Sequence, residues 1–155
     1  MDRRRLAVVL ATWFYAGRFP VAPGTVGSLC AWAVASFAAH SFGVPAWTFS
    51  VAAVVLLPVA VWSAGTATEA IGSDDPPSIV IDEVIGMWIA IAPVATGSWP
   101  QWIAAIVLFR AFDITKPFGM RRLERFAGGR GIVADDLAAG ACAMIGTLVV
   151  RWAGF

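Results

Sequence analysis

Long stretches without a charged side chain are the feature of this sequence that most limits how the chain can fold. No Asp, Glu, Lys or Arg occurs in residues 19–68, 84–109 or 137–150. A charged side chain at the centre of a bilayer costs at least about 2.5 kcal/mol, so such stretches mark segments that can cross a membrane. Hydrophobic residues make up 59% of the chain, charged residues only 14%, and the mean hydropathy is +0.78. We therefore expect an integral membrane protein.

The spacing of these stretches predicts an all-α fold, a polytopic helical bundle with four to five transmembrane helices. One domain is expected to cover residues 1–155. A helix needs about 20 residues to cross a hydrocarbon core of about 30 Å, and turn-forming residues rich in Gly and Pro separate the apolar segments. The predicted crossings are 25–42, 46–66, 78–96, 99–112 and 137–150.

The distribution of basic residues predicts the orientation. Arginines occupy positions 3–5, and five further basic residues fall within 116–130, whereas the links at 42–46 and 96–100 carry no charge. Basic residues in short loops favour the cytoplasmic side. Five crossings from a cytoplasmic amino terminus would place every charged loop in the cytoplasm. A net charge of +1 without a basic stripe gives no reason to expect a nucleic-acid partner.

Acidic side chains at the ends of the apolar segments are the strongest candidates for chemistry. Asp82 and Glu83 have apolar residues on both sides, where carboxylates are usually functional. Asp135 and Asp136 follow a predicted glycine-rich loop at 127–131. Neighbouring carboxylates supply the oxygen ligands that Mg²⁺ prefers. Two simpler interpretations stay open. Asp82 and Glu83 could merely stabilise a helix amino terminus through its macrodipole, and Asp135 could merely cap a helix.

A basic helical face and a helix start are candidates for binding phosphate. Arg110, Asp113 and Lys116 follow i, i+3, i+6 spacing, so they share roughly one face of a helix. Arginine and lysine both bind phosphate. The first long helix begins with backbone N–H groups and the hydroxyls of Thr25 and Ser28, which can bind an anion. The alternatives are an Arg–Asp pair at a solvated helix end and an ordinary capped helix start.

The single histidine limits the mechanisms that the chain can use. His40 is predicted to lie near the outer face, away from the acidic clusters, which disfavours a phosphohistidine or a Ser-His-Asp triad. Metal-assisted hydrolysis remains, in which carboxylates hold Mg²⁺ and the metal activates water. A small ion transporter with carboxylates at its helix ends is the alternative, and a structural membrane protein is a second.

Four motifs are spread over nearly the whole chain. They are APGTVGSL at 22–29, DPPSIVIDEVIGMWI at 75–89, FRAFDITKP at 109–117 and GGRGIVADDLAAG at 128–140. With these motifs in this order, the sequence resembles the phosphatidylglycerophosphatase A family. The resemblance implies a multi-pass helical enzyme of the bacterial inner membrane. It would use Mg²⁺ to dephosphorylate phosphatidylglycerophosphate to phosphatidylglycerol, with its active site facing the cytoplasm.

The resemblance also implies roles for individual residues. Water is the expected nucleophile, with Asp113 as a further metal ligand or as acid or base, and an aspartyl-phosphate at Asp113 or Asp82 is the alternative. The expected catalytic residues are Asp82, Glu83, Asp113, Asp135 and Asp136. The expected ligands of one or two Mg²⁺ are Asp82, Glu83, Asp135, Asp136 and Asp75. The residues expected to bind the substrate phosphate are Arg110, Lys116, Thr25 and Ser28.

Overall fold

The computed structural model describes residues 2–73 and 76–155, and every regular element in these ranges is helical. Six α-helices are joined by turns and by two 3₁₀ segments, and no β-strand occurs in the described ranges. The expected all-α architecture is confirmed. The helices are α1 (Arg3–Ala11), α2 (Pro23–Phe42), α3 (Trp47–Ile71), α4 (Ile81–Ala90), α5 (Trp99–Thr115) and α6 (Gly129–Trp152). The 3₁₀ segments are Ala16–Arg18 and Pro117–Arg125.

Among the described residues, three helices are long and apolar enough to cross a membrane, namely α2, α3 and α6. Helix α5 has 17 residues and α4 only 10, lengths of about 25 and about 15 Å at 1.5 Å per residue. The prediction of a helical protein with membrane-spanning helices is therefore confirmed for three helices. The predicted number of four to five crossings is not confirmed. The predicted span 78–96 is cut short at Ala90 because it contains Pro93, whose ring would clash with the carbonyl four residues earlier.

Helix α4 lies inside the bundle and packs against α2, α3, α5 and α6. Most of its residues are buried, which explains why its sequence is apolar on all sides after the first turn. The Trp88 ring N–H donates to the Ala31 carbonyl at 3.1 Å, and the Ser50 hydroxyl donates to the Trp88 carbonyl at 2.6 Å. The central helix is thereby fixed to both α2 and α3.

A pair of glycines forms the crossing of α4 and α6. A Cβ atom at Gly140 would lie 2.4 Å from the Gly86 carbonyl oxygen, and one at Gly86 would lie 2.6 Å from the Asp136 carbonyl oxygen. Real Cβ atoms essentially never approach another heavy atom within 3.0 Å, so neither position accepts a side chain unless the helices move apart. Small residues let membrane helices approach closely, and here they bring α4 against the part of α6 that runs from Asp136 to Gly140.

Helix α6 begins within the segment that was expected to be a glycine-rich loop. Gly128 is its N-cap, with φ 65°, so Asp135 lies in the second turn and the N-cap interpretation of Asp135 is wrong. A Cβ atom at Gly129 would lie 2.0 Å from the Val61 carbonyl oxygen. Without a side chain at Gly129, the start of α6 packs directly on the backbone of α3. The segment is therefore helical where a loop was predicted.

The helices alternate in direction, and five helix ends meet at one side of the bundle. The starts of α2, α4 and α6 and the ends of α3 and α5 surround one cleft. At the opposite side, the His40 ring stacks on Trp99 with centroids 4.3 Å apart, and Arg151 donates to the Pro93 carbonyl at 2.7 Å. The acidic clusters therefore gather at one end of the bundle, and His40 lies at the other.

Candidate active site

A cleft of about 730 Å³ opens among the five helix ends. In it, Asp82, Glu83 and Asp136 each present one carboxylate oxygen, and these three oxygens lie within 4.8 Å of one another. Oxygens on opposite sides of one divalent cation lie about 4 to 5 Å apart, twice the usual metal–oxygen distance. Asp82 is 9% exposed and Asp136 only 3%. The three carboxylates, called the acidic triad below, form a shielded group that is compact enough to surround one cation.

The glycine crossing explains why these carboxylates meet. Asp82 and Glu83 stand about one helical turn before Gly86 in α4, and Asp136 stands about one turn before Gly140 in α6. Because the two glycines are in contact, the turns that precede them are adjacent as well. The acidic triad is thus a direct result of the closest helix approach in the bundle.

Two further contacts fix the start of α4. The Val80 N–H donates to the Ala11 carbonyl at 2.9 Å, which ties α4 to the end of α1. A Cβ atom at Gly24 would lie 2.1 Å from Glu83 Oε1, and one at Gly27 would lie 2.7 Å from the Val80 Cβ. The first turn of α2 therefore lies directly on the Glu83 carboxylate, and a side chain at Gly24 would displace it.

Two basic side chains reach the cleft from the end of α5, and each is held by a carboxylate. Arg110 Nη1 donates to Asp113 Oδ2 at 2.5 Å and to the Ser28 hydroxyl at 3.2 Å. Lys116, in the left-handed conformation that ends α5, forms an ion pair with Asp135. Both cations line the cleft beside the acidic triad. The cleft therefore combines a place for a cation with two donors suited to phosphate.

The structure brings most of the predicted site residues together, but not all of them. The basic and acidic residues of α4, α5 and α6 named above all line the cleft. Ser28 is fully buried behind Arg110, and its hydroxyl donates to the Gly24 carbonyl at 2.8 Å. Thr25 is half-buried and is not among the residues that line the cleft. Asp75 lies outside the described residues.

Other residues line the cleft that were not predicted to be site residues. Thr68 comes from the end of α3, Gly24 from the start of α2, and Arg125 and Phe126 from the turn before α6. Arg125 reaches the cleft because the 3₁₀ segment bends sharply, with φ 59° at Phe118 and φ 77° at Gly119. The glycine in this basic segment was the one local signal of that bend.

Burial dominates the protonation of the pair at the start of α4, which lies outside the three membrane-length helices. Burial raises the pKa of Glu83 to about 8, and the charges of Asp136 and Asp113 contribute in the same direction. Burial also raises the pKa of Asp82 well above its usual range, as does the adjacent charge of Glu83. A bound cation would reverse this effect, because opposite charge favours the ionised carboxylate.

Several buried oxygens of the cleft have no hydrogen-bond partner among the described residues. An unsatisfied buried polar atom costs about 1–3 kcal/mol, and more when the group is charged. These oxygens are Asp82 Oδ1, Glu83 Oε2, Asp135 Oδ1 and Asp136 Oδ2. All of them are carboxylate oxygens, the donor type that Mg²⁺ and other hard divalent cations prefer. The residues present therefore fit such an ion.

Known proteins share the sequence of this chain over most of its length. The sequence profile of the family described as Phosphatidylglycerophosphatase A matches residues 9–151. The chain belongs to the phosphatidylglycerophosphatase A family. The matched region contains the whole acidic triad and both basic residues of α5. The expectation of an enzyme, a phosphoric monoester hydrolase, is confirmed by this membership, and the transporter alternative gains no support from it.

Three bacterial relatives cover most of the chain. A Bacteroides thetaiotaomicron protein named "Putative phosphatidylinositol-3-phosphatase" is 38% identical over 152 residues, which are 95% of this chain and 94% of that protein. Phosphatidylglycerophosphatase A of Escherichia coli is 37% identical over 85% of this chain and 76% of its own. The protein of the same name from Haemophilus influenzae is 37% identical over 93% and 88%. No solved structure matches the chain.

Proposed function

We propose that this protein is a Mg²⁺-dependent lipid phosphatase that hydrolyses phosphatidylglycerophosphate to phosphatidylglycerol and inorganic phosphate. The observation that carries the proposal is the acidic triad, with oxygens within 4.8 Å of one another, beside Arg110 and Lys116. The names of two relatives support the substrate. The basic residues around the cleft support a location in the bacterial inner membrane with the cleft facing the cytoplasm.

The acidic triad is the proposed metal site. Asp82, Glu83 and Asp136 would hold the ion, because their oxygens converge and three of them lack another partner. Mg²⁺ bound there would polarise the phosphoryl group and lower the pKa of a bound water. Asp135 pairs with Lys116 through Oδ2, so it is the carboxylate that orders the basic side chain, and its unpartnered Oδ1 could join the ion without breaking that pair.

Arg110 and Lys116 are the proposed phosphate clamp. Asp113 and Ser28 both accept from Arg110 Nη1, so the guanidinium is oriented before the substrate arrives. A planar guanidinium can bind two phosphate oxygens, whereas Lys116 supplies a point charge. Orientation in advance lowers the entropy that must be lost when the substrate binds.

Water is the proposed nucleophile, and Asp113 is the proposed acid–base group. Water would attack phosphorus, the P–O ester bond would break, and the glycerol oxygen would leave as the alcohol after taking a proton. Asp113 lines the cleft next to the clamp, where it can accept the proton of the attacking water. The alternative is an aspartyl-phosphate at Asp113 or Asp82. Acid-quenched enzyme after reaction with ³²P-labelled substrate would carry label only in the second case.

Arg125 is the proposed contact for the second phosphate of the substrate. Phosphatidylglycerophosphate carries a terminal phosphomonoester and an internal phosphodiester, so it needs two groups of donors. Arg125 lines the cleft and makes no ion pair or hydrogen bond with the described residues, whereas Arg110 is paired within the cleft. A cation without a carboxylate partner in the described part of the chain suits the singly charged diester.

The experiment is to purify the full chain and measure phosphate release from phosphatidylglycerophosphate with and without Mg²⁺. Asp82→Asn and Asp136→Asn each remove one ligand charge with little change of shape, and we expect at least a 100-fold loss of activity. Asp2→Asn is the matched control, because Asp2 only caps α1 and Asn caps as well as Asp. Full activity in the two triad variants, or in the absence of any divalent cation, would overturn the proposed metal site.

A further inference from the structure

A second cleft lies at the same end of the bundle as the acidic triad. It has a volume of about 570 Å³ and shares no lining residue with the first cleft. The two clefts flank the end of α3, because Ala70 lines the second and Thr68 lines the first. The second cleft is lined by Arg4, Arg5, Val8, Val9, Tyr15, Arg18 and Ala70. The motifs and the proposed reaction use none of these residues.

An unusual turn builds this cleft. After α1, the three consecutive residues Trp13, Phe14 and Tyr15 have φ values of 45°, 55° and 72°. Residues other than glycine rarely adopt this left-handed backbone conformation. Hydrogen bonds to Thr12 hold the turn, from the Gly17 N–H to its carbonyl at 3.0 Å and from the Tyr15 N–H to its hydroxyl at 3.2 Å. The turn returns the chain toward α1, so that residues from both sides of it line one cleft.

The turn adds a third guanidinium to the two from α1. The Arg18 guanidinium lies over the Tyr15 ring, 4.5 Å from its centroid, a cation–π contact that fixes its position. Arg4 and Arg5 line the cleft from α1. No carboxylate lines the cleft among the described residues, and none of the three arginines forms an ion pair there. Three cations without a counter-charge repel one another, and an anion between them would remove that repulsion.

The remaining walls show what kind of anion fits. Val8 and Val9 give the cleft an apolar side, and Phe14 and Phe19 on the adjoining turns are 65% and 55% exposed. A free phosphate would use only the arginines, whereas a lipid would also cover the apolar side. Basic pockets at the membrane surface bind phospholipid headgroups in this way. We infer that the cleft formed by Arg4, Arg5 and Arg18 binds the headgroup phosphate of an anionic phospholipid whose acyl chains lie along α1.

The test measures lipid binding to the detergent-purified full chain by native mass spectrometry, without any phosphatase assay. The probes are phosphatidylglycerol, phosphatidylcholine with the same acyl chains, and inorganic phosphate. Arg5→Gln/Arg18→Gln removes two charges from the cleft. Arg122→Gln/Arg130→Gln removes two charges from exposed positions at the same end of the bundle, outside both clefts. Arg5→Lys/Arg18→Lys keeps the charge and is used where the glutamine variant does not fold.

We expect wild type to retain phosphatidylglycerol in preference to phosphatidylcholine. The cleft variant should bind phosphatidylglycerol about 30-fold more weakly, since each arginine near an anionic lipid surface contributes about 1 kcal/mol. The surface variant should bind as wild type does, and the lysine variant should keep the preference while losing affinity. Equal retention of both lipids by wild type, or an equal loss in the surface variant, would overturn the inference. So would displacement of the lipid by an equimolar amount of inorganic phosphate.

Discussion

Replacing Gly140 by alanine should separate the two helices that carry the acidic triad. The added Cβ would lie 2.4 Å from the Gly86 carbonyl oxygen, and an ordinary contact begins near 3.4 Å. The obstacle is backbone, so the helices must move apart by about 1 Å. Asp136 would then move away from Asp82 and Glu83. A displacement of about 1 Å at reacting groups costs about 100-fold in rate, and we expect that loss in kcat/KM.

The assay follows phosphate release from phosphatidylglycerophosphate in mixed micelles over a range of Mg²⁺ concentrations. Gly140→Ala should need more Mg²⁺ to reach half of its maximal rate, because its ligands no longer converge. Gly146→Ala is the matched control on the same helix. Its Cβ would meet the Leu108 Cδ1 atom at 2.8 Å, but this is the end of a flexible side chain that can rotate away. Near wild-type activity is expected for the control.

Thermal unfolding separates a loss of catalysis from a loss of folding. Overpacking costs about 1–3 kcal/mol of stability, so Gly140→Ala should unfold at a lower temperature but remain folded under the assay conditions. The reasoning is wrong if folded Gly140→Ala keeps the activity and the Mg²⁺ midpoint of wild type. It is equally wrong if Gly146→Ala loses activity to the same extent.

Three further outcomes are expected from the same site. Arg125→Gln should lower kcat/KM about tenfold on phosphatidylglycerophosphate, the value of one charge-assisted hydrogen bond, and leave phosphatidic acid hydrolysis unchanged; an equal loss on both substrates would contradict its assignment to the phosphodiester. Arg110→Lys should lower activity at least tenfold although the charge remains, because lysine cannot bind two phosphate oxygens, while Arg122→Lys should have no effect. The metal-free protein should lose stability as the pH rises from 4.5 to about 8, because Glu83 releases its proton near 4.5 when unfolded and near 8 when folded. Mg²⁺ should restore stability most strongly at the upper end of this range, which differential scanning fluorimetry can follow.

The apolar stretches predicted the positions of the long helices well, because a missing charge and a Gly or Pro break are local signals. The sequence places α2 and α3 within a few residues of their observed bounds. The errors occur where tertiary contacts decide the outcome. Gly129 reads as loop-forming, yet it starts α6 because only glycine fits against the α3 backbone. Pro93 lies inside the predicted crossing 78–96, yet α4 ends before it.

The acidic clusters could be recognised from the sequence, but the part that each carboxylate takes in the structure could not. Asp135 and Asp136 are neighbours, and successive residues on a helix point about 100° apart. Asp136 therefore joins the acidic triad, while Asp135 turns to Lys116. The role of Ser28 could not be predicted either: its buried hydroxyl accepts from Arg110 and orients that side chain. Sequence spacing shows which residues share a helix face, but not which neighbouring helix that face meets.

The short central helix has a consequence for how the protein is made. Helix α4 is too short to cross a bilayer, begins with two carboxylates, and is covered by its neighbours. A segment of this kind cannot be released into lipid alone, since its acidic end and its short length both oppose insertion. It gains its full set of contacts only when α6, synthesised after α5, supplies Asp136 and the glycine contact. Nascent chains that lack α6 should therefore have no phosphatase activity and should be substrates for membrane quality control.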